Sequence, residues 1–436
     1  MSATTDFSAR LRSELHHRIR RMSGRDPTER GRSVTPLELL YDLTYVVAFA
    51  AASDQLAEQL ARGDVWRAIG AFVFAVWAVS WAWFNFTWFT SAYGTDDVVF
   101  RLATIVQMIG VIVLTYGLPV SFESAAHGGS PNNLLLVIGY IIMRIPLIAL
   151  WASAAVQDPR HRKSSLAYVW IISIAQVGWL LTAILPLPTV PTVIALVVLA
   201  LAEMTAPIAA ARRFGHAPWN AGHIAERFGL LTLITIGEVI AGTTAAVGAL
   251  IQAKDWSPEA VMIAASGLVI AAAVWWTYFL VPSRTVLEER PERLFAWRNA
   301  HFPLFGSIAA IGAGLHLTTI AVQHGGVSLF GIALSLTVPL AITVVLIFLI
   351  WSVLMRSFDL TTHLPLLLAT LAPLCAAVVV GLLVNPGEPL DLSQPGALTA
   401  LSTVIGLAAL GAVVEVVGHE LVGYEHTLRA WERSTT

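Results

Sequence analysis

Thr35-Pro36-Leu37-Glu38-Leu39-Leu40-Tyr41-Asp42-Leu43-Thr44-Tyr45-Val46-Val47-Ala48-Phe49-Ala50-Ala51-Ala52-Ser53 opens the first long apolar run of a 436-residue chain. The run carries two acids, Glu38 and Asp42, four residues apart. On a helix that spacing sets both carboxylates on one face, which Tyr45, Phe49 and Ser53 continue. Acids inside a membrane span are costly and point at a partner, a cavity or a pathway. The stretch reads as the first helix of a polar site inside a membrane protein.

Composition supports the membrane reading. Of all residues 56% are hydrophobic and only 12% charged, and the mean hydropathy is +0.72. A soluble domain carries about 25% charged residues. Half that share, spread over many apolar runs of about 20 residues, predicts a polytopic membrane protein. The net charge of −2 says little, because the charges are sorted by loop. A single cysteine, Cys375, excludes an intrachain disulfide and a cysteine-based metal site; it reads as a small packed hydrophobe. The first 36 residues are polar and Arg-rich, with no short apolar stretch of the kind a cleaved signal needs.

Residues 1–34 hold Arg10, Arg12, Arg18, Arg20, Arg21, Arg25, Arg30 and Arg32. They read as a solvated or lipid-facing cytoplasmic tail, helical in part from Phe7 to Met22. No aromatic residues interleave these arginines, so nucleic acid is not the expected partner. Twelve hydrophobic segments follow: 37–60, 66–92, 98–121, 133–156, 165–185, 189–211, 227–251, 258–282, 297–321, 327–355, 365–385 and 397–422. With the N-terminus inside, 22 of the 26 basic residues fall on the cytoplasmic side, leaving Arg62, Arg67, Arg144 and Lys254. That asymmetry predicts twelve spans with both ends in the cytoplasm of a cell (inner or plasma) membrane.

An internal repeat is also legible. Span 2 carries Trp77, Trp81, Trp83 and Phe84, and span 8 carries Trp275, Trp276, Tyr278 and Phe279. Spans 3 and 9 open on Arg101 and Arg298, and spans 6 and 12 carry Glu203 and Glu415 at nearly the same offset. The expected fold is all-α, about twelve membrane helices as two six-helix repeats in parallel orientation. The expected divisions are a tail at 1–34, repeats at 35–222 and 223–427, and a cytoplasmic end at 428–436.

Each buried charge has a bland reading beside its functional one. Thr35-Pro36-Leu37-Glu38 matches a capping box, so Glu38 serves either as a cap or in a site. Asp42 lies about 9 Å farther along the axis than Pro36, and no cap needs it. Arg144, about ten residues into span 4, sits near the bilayer centre, where arginine costs at least about 2.5 kcal/mol. Its expected partner is Glu238 at similar depth in span 7, with Glu203 next; an architectural ion pair is the plainer reading. His223, Glu226 and Arg227 open span 7, but Glu226 and Glu238 lie about 18 Å apart along the axis and the second metalloprotease histidine is missing, so no metal site is expected. Glu415 and His419, four apart on span 12, read as a proton relay or as a helix end at the interface. His301 and His316 read as packing or interfacial residues.

Pro36-Leu37-Glu38-Leu39-Leu40-Tyr41-Asp42-Leu43-Thr44-Tyr45-Val46 resembles the opening signature of the bacterial low temperature requirement protein A family. His223-x-x-Glu226-Arg227-Phe228-Gly229-Leu230, with Gly237-Glu238 beyond, resembles that family's second signature, and Arg144, His301 and Pro303 also fit its pattern. The resemblance spans about Val34 to Thr427, with Leu40 standing where an aromatic is common. It implies an integral membrane protein and supplies no substrate. A fainter similarity links the chain to the lysosomal potassium channel family, two six-span repeats whose first helices carry a Phe-Ser-Asp element; here span 1 has Tyr41-Asp42 and span 7 has no aspartate.

The leading expectation is a proton-coupled secondary transporter of a small solute. Asp42, Glu238 and Glu203 would exchange protons or bind a cationic group, with Arg144 as fixed countercharge, because burial brings carboxylate exchange toward neutral pH. A cation channel or passive pore, and a sensor or scaffold with the Arg-rich tail as effector, are the alternatives. The expected partners are the lipid bilayer and a small solute or ion, with a homo-oligomer compatible and no cofactor. No nucleophile elbow, phosphate loop or metal triad points to an enzyme.

Overall fold

A helix start leaves four main-chain N–H groups without partners, and the first long helix closes two of them with its own side chains. The Glu38 amide donates to the Thr35 hydroxyl at 3.3 Å, and the Thr35 amide donates to Glu38 Oε2 at 2.9 Å. The capping box is therefore real. From it α1 runs Pro36–Ala61.

The computed structural model describes residues 20–29, 31–358 and 360–435. After α1 come α2 Val65–Tyr93, α3 Val98–Ala126, α4 Leu134–Gln157, α5 Arg162–Ile184 and α6 Thr189–Phe214. Then follow α7 Ala221–Lys254, α8 Pro258–Phe279, α9 Ser283–Glu289, α10 Leu294–His324, α11 Leu329–Met355, α12 Leu360–Val384 and α13 Ala397–Thr435. No strand occurs among the described residues. Among the described residues, eleven helices, α2 to α8 and α10 to α13, are long and apolar enough to cross a membrane. The chain is an all-helical, multi-pass membrane protein. The twelfth expected span, α1, is 26 residues long; Glu38, Asp42, Asp54 and Glu58 leave it less apolar than the eleven. Two details differ from expectation. The stretch between α8 and α10 folds into the short α9 and a one-turn Pro291–Arg293 helix. The last helix continues past the expected end at residue 422 through the C-terminal segment.

The chain forms two compact units, one of residues 1–44, 82–117 and 132–220, the other of 45–81, 118–131 and 221–436. In the first unit α3 and α4 meet backbone to backbone. A Cβ on Gly139 would lie 2.3 Å from the Leu114 amide nitrogen, and one on Gly110 would lie 2.7 Å from the Gly139 carbonyl oxygen. Only glycines allow helices this close. Below that crossing, Phe89, Tyr93, Trp151 and Tyr168 pack ring on ring, with Trp151 and Tyr168 stacked at 4.3 Å.

Residues 20–32, expected as a solvated or lipid-facing tail, are tied to helix ends of the first unit. Arg32 donates to the Thr90 and Ser91 carbonyls, Arg25 to the Gly94 carbonyl and Arg21 to the Gln157 carbonyl. Helix C-termini expose unpaired carbonyls of this kind, and arginine suits them in charge and geometry. The Asp158 carboxylate receives the Gly24 amide and the Tyr93 hydroxyl on the same side. The expected helix from Phe7 to Met22 lies outside the described residues apart from Arg20, Arg21 and Met22, which are not helical.

The second unit is arranged around α10, which packs along α7 and α11. Phe228, Trp297, His301 and Phe305 form its aromatic centre. Here too a glycine pair sets the spacing: a Cβ on Gly312 would lie 2.7 Å from the Glu238 carbonyl oxygen, and one on Gly242 would lie 2.6 Å from the Gly312 carbonyl oxygen.

Candidate functional site

Besides Glu38, the first unit buries three of the expected ionic side chains. Asp42, Arg144 and Glu203 are all 4% exposed or less. Asp42 sits one turn beyond Glu38 on α1, and its Oδ1 accepts the Trp83 indole N–H at 2.6 Å. A charged acceptor makes this one of the stronger hydrogen-bond types, worth about 1.5–3 kcal/mol. On α4, Tyr140 and Arg144 stand four residues apart, so they share a helix face. Arg144 Nη2 donates to the Tyr140 hydroxyl at 2.8 Å, and the guanidinium carbon lies 4.6 Å from the centre of that ring. Tyr140 is in turn within electrostatic reach of Glu203 on α6 and Tyr41 on α1. A tyrosine thus stands among an arginine, a glutamate and the turn that carries Asp42.

Proline shapes the polar helices locally. Pro207 has no N–H to return to the carbonyl of Glu203, and Pro146 none for Ile142. Main-chain acceptors are therefore released beside the buried charges, on spans where lipid could not satisfy them.

The second unit holds Glu238, midway along α7 and 3% exposed. Among the described residues, no hydrogen bond or ion pair reaches its carboxylate. It lies within electrostatic reach of Asp54, whose Oδ1 is 3.1 Å from His316 Nδ1. Asp54 and His316 line a cavity of about 520 Å³ together with Glu58, Arg62, Thr319 and His324. Arg144 belongs to the first unit and Glu238 to the second.

The sequence model of the family described as bacterial low temperature requirement A protein (LtrA) matches residues 33–387. The chain belongs to the LtrA family. No curated protein and no solved structure matches it. Asp42, Arg144, Glu203 and Glu238 lie inside the stretch that the LtrA model covers, whereas Glu415 and His419 lie beyond it.

The remaining expected residues are engaged in packing and pairing. Glu38 forms the cap, with both the amide and the hydroxyl of Thr35 donating to its Oε2. Glu226 pairs with Arg284 at 3.3 Å, beside a cavity of about 340 Å³. Arg227, next to it, is fully buried. Glu415 Oε2 accepts from the Thr370 hydroxyl at 2.7 Å, and its Oε1 lies 3.2 Å from His419 Nδ1. The His419 ring faces His363 at 5.9 Å, and His363 faces His426 at 5.0 Å. Among the described residues, no three metal-ligating side chains gather into a metal site. His301 is a satisfied core histidine: Nδ1 donates to the Trp297 carbonyl at 2.8 Å, leaving Nε2 to accept the Tyr278 hydroxyl at 2.9 Å.

Sequence reasoning passed over Asp54 and set His316 aside as packing. The signal for Asp54 was present, since it is a third acid on the same apolar run, twelve residues after Asp42. Nothing local marks His316; only the crossing of α7 and α10 gives it meaning. Trp83 was noticed as an aromatic, and its hydrogen bond to Asp42 depends on tertiary packing, whereas the bond between Arg144 and Tyr140 is local to one helix face.

Proposed function

We propose that the protein is a proton-coupled secondary transporter of a small solute. The observation that carries the reading is Glu238. A carboxylate midway along a membrane helix, buried and without a hydrogen bond, needs a proton or a passing cation to compensate its charge. Asp42 and Glu203 are the further exchanging carboxylates in this reading, and Arg144 is the fixed countercharge. Tyr140 holds Arg144 in place and supplies a hydroxyl that can accept from the guanidinium and donate to a carboxylate.

The same reading takes α1 as the twelfth span, its acids being the reason it is less apolar. It sets both termini in the cytoplasm of the cell membrane and treats α1–α6 and the six later spans as repeats of one orientation. The loop arginines and the paired aromatic runs support this arrangement. The chemistry assigned is transport rather than catalysis of covalent change.

Reconstitution into liposomes with an internal pH dye and a panel of solutes tests the proposal. Solute-driven proton flux is expected, with strong loss in Asp42→Asn and Glu238→Gln. Flux that survives both substitutions would remove these carboxylates from the mechanism. Currents of single-channel size in a planar bilayer would favour a channel instead.

A further inference from the structure

Resting on the transport reading, a second set of residues in the second unit indicates how a cation reaches Glu238. The crossing of α7 and α10 is set by Gly242 and Gly312, and the registry matters. A Cβ on Gly312 would lie 2.9 Å from Glu238 Cβ, and one on Gly242 would lie 3.2 Å from His316 Cδ2. Four residues along α7, from 238 to 242, correspond to four residues along α10, from 312 to 316. The two helices therefore run in the same direction here, and Glu238 and His316 occupy successive turns of one seam.

His316 then meets α1. Its Nδ1 lies 3.1 Å from Asp54 Oδ1, and Asp54 is within electrostatic reach of Glu238. Exposure falls in order along this line: the Asp54 side chain is 49% exposed and that of His316 27%, while Glu238 is 3% exposed as a residue. The cavity of about 520 Å³ lies at the outer end. Its charged lining is Asp54, Glu58 and Arg62, with His316 and His324 completing the polar wall. Arg62 is already neutralised by Glu123 at 2.8 Å. The balance around the cavity is negative, and the innermost group is an unpartnered carboxylate.

We propose that this cavity is a water-filled, cation-selecting mouth, and that the Asp54–His316 pair passes a small monovalent cation, hydronium included, inward to Glu238. In the proposed topology, the mouth lies at the outer ends of α1 and α10, so it faces the exterior. Histidine suits the intermediate position because it accepts a proton on one ring nitrogen and releases one from the other.

Thiol accessibility tests the mouth without requiring transport. In a Cys375→Ser background, Thr319→Cys and Glu238→Cys are each treated from the exterior with membrane-impermeant thiosulfonates of either charge. Both cysteines are expected to react, the cationic reagent faster than the anionic one by about tenfold, the lower end of what a charged cleft gives. Adding Asp54→Asn should erase most of that preference. A reactive Thr319→Cys with a silent Glu238→Cys would make the cavity a dead end and overturn the proposal, as would equal rates for the two charges. Proton flux measured alongside separates the two readings. Flux preserved in Asp54→Asn and His316→Gln but lost in Glu238→Gln would sink the mouth and leave the transporter. Selective labelling of both cysteines, with no flux in the parent protein, would sink the transporter and leave the mouth.

Discussion

Asp42 and Trp83 show what a single buried acid costs and gains. The indole N–H is fully buried and its acceptor is the carboxylate Oδ1 at 2.6 Å. Asp42→Ala leaves that donor unpaired, so a loss of about 1–3 kcal/mol is expected, read as a lower midpoint of thermal unfolding in detergent. Asp42→Asn keeps an oxygen acceptor and should retain most of the stability while removing the charge. The pair of variants thus separates the structural role of Asp42 from its proposed exchange role. Asp158 gives the corresponding test outside the spans. Burial alone would push its carboxyl up, but hydrogen bonds from His161, Tyr93 and the Arg160 amide more than offset this and hold it below its ordinary value. A carboxyl held low contributes stability above its unfolded-state pKa and loses it as pH falls through the lower folded-state value. The docking of Gly24 and its neighbours should therefore weaken below about pH 4. A nitroxide on Ser23→Cys, in a Cys375→Ser background, should be immobile near neutral pH and gain mobility on acidification. Asp158→Ala should free it at every pH.

At the scale of elements, glycine pairs decide where helices approach and hence which polar groups meet. The Gly110 and Gly139 contacts bring α3 onto α4 just beside Tyr140, and Gly242 with Gly312 brings α7 onto α10 beside Glu238. Gly139→Ala puts a methyl 2.3 Å from a main-chain nitrogen that cannot swing aside. A loss of about 1–3 kcal/mol or more is expected, visible as poor yield of monodisperse protein, whereas Gly237→Ala, with nothing near its Cβ, should be tolerated. This is also where the sequence was hardest to read. The spans themselves were legible, because about 20 apolar residues leave few alternatives to a membrane helix, and Thr35 with Glu38 announced the first helix start. The crossings were not legible. Gly237 was noted for its position beside Glu238, yet the close approach occurs at Gly242, five residues later, since helix packing depends on the partner's surface.

At the scale of the molecule, polar chemistry is distributed over two compact units, each with its own buried acids: Asp42 and Glu203 in one, Glu238 in the other, with the half-exposed Asp54 within its electrostatic reach. Arg25 and Arg32, in the stretch that composition alone reads as a solvated or lipid-facing tail, close helix ends of the first unit through arginine-to-carbonyl bonds. Arginines that cap helices cannot simultaneously coat a lipid surface, and composition does not distinguish the two uses. The central claim is that Glu238 exchanges its proton. Infrared titration of the reconstituted protein, comparing the parent with Glu238→Gln, measures this directly. The account predicts a carboxyl band that changes with external pH in the parent and is missing from the variant. Identical spectra for the two across the whole pH range would contradict it.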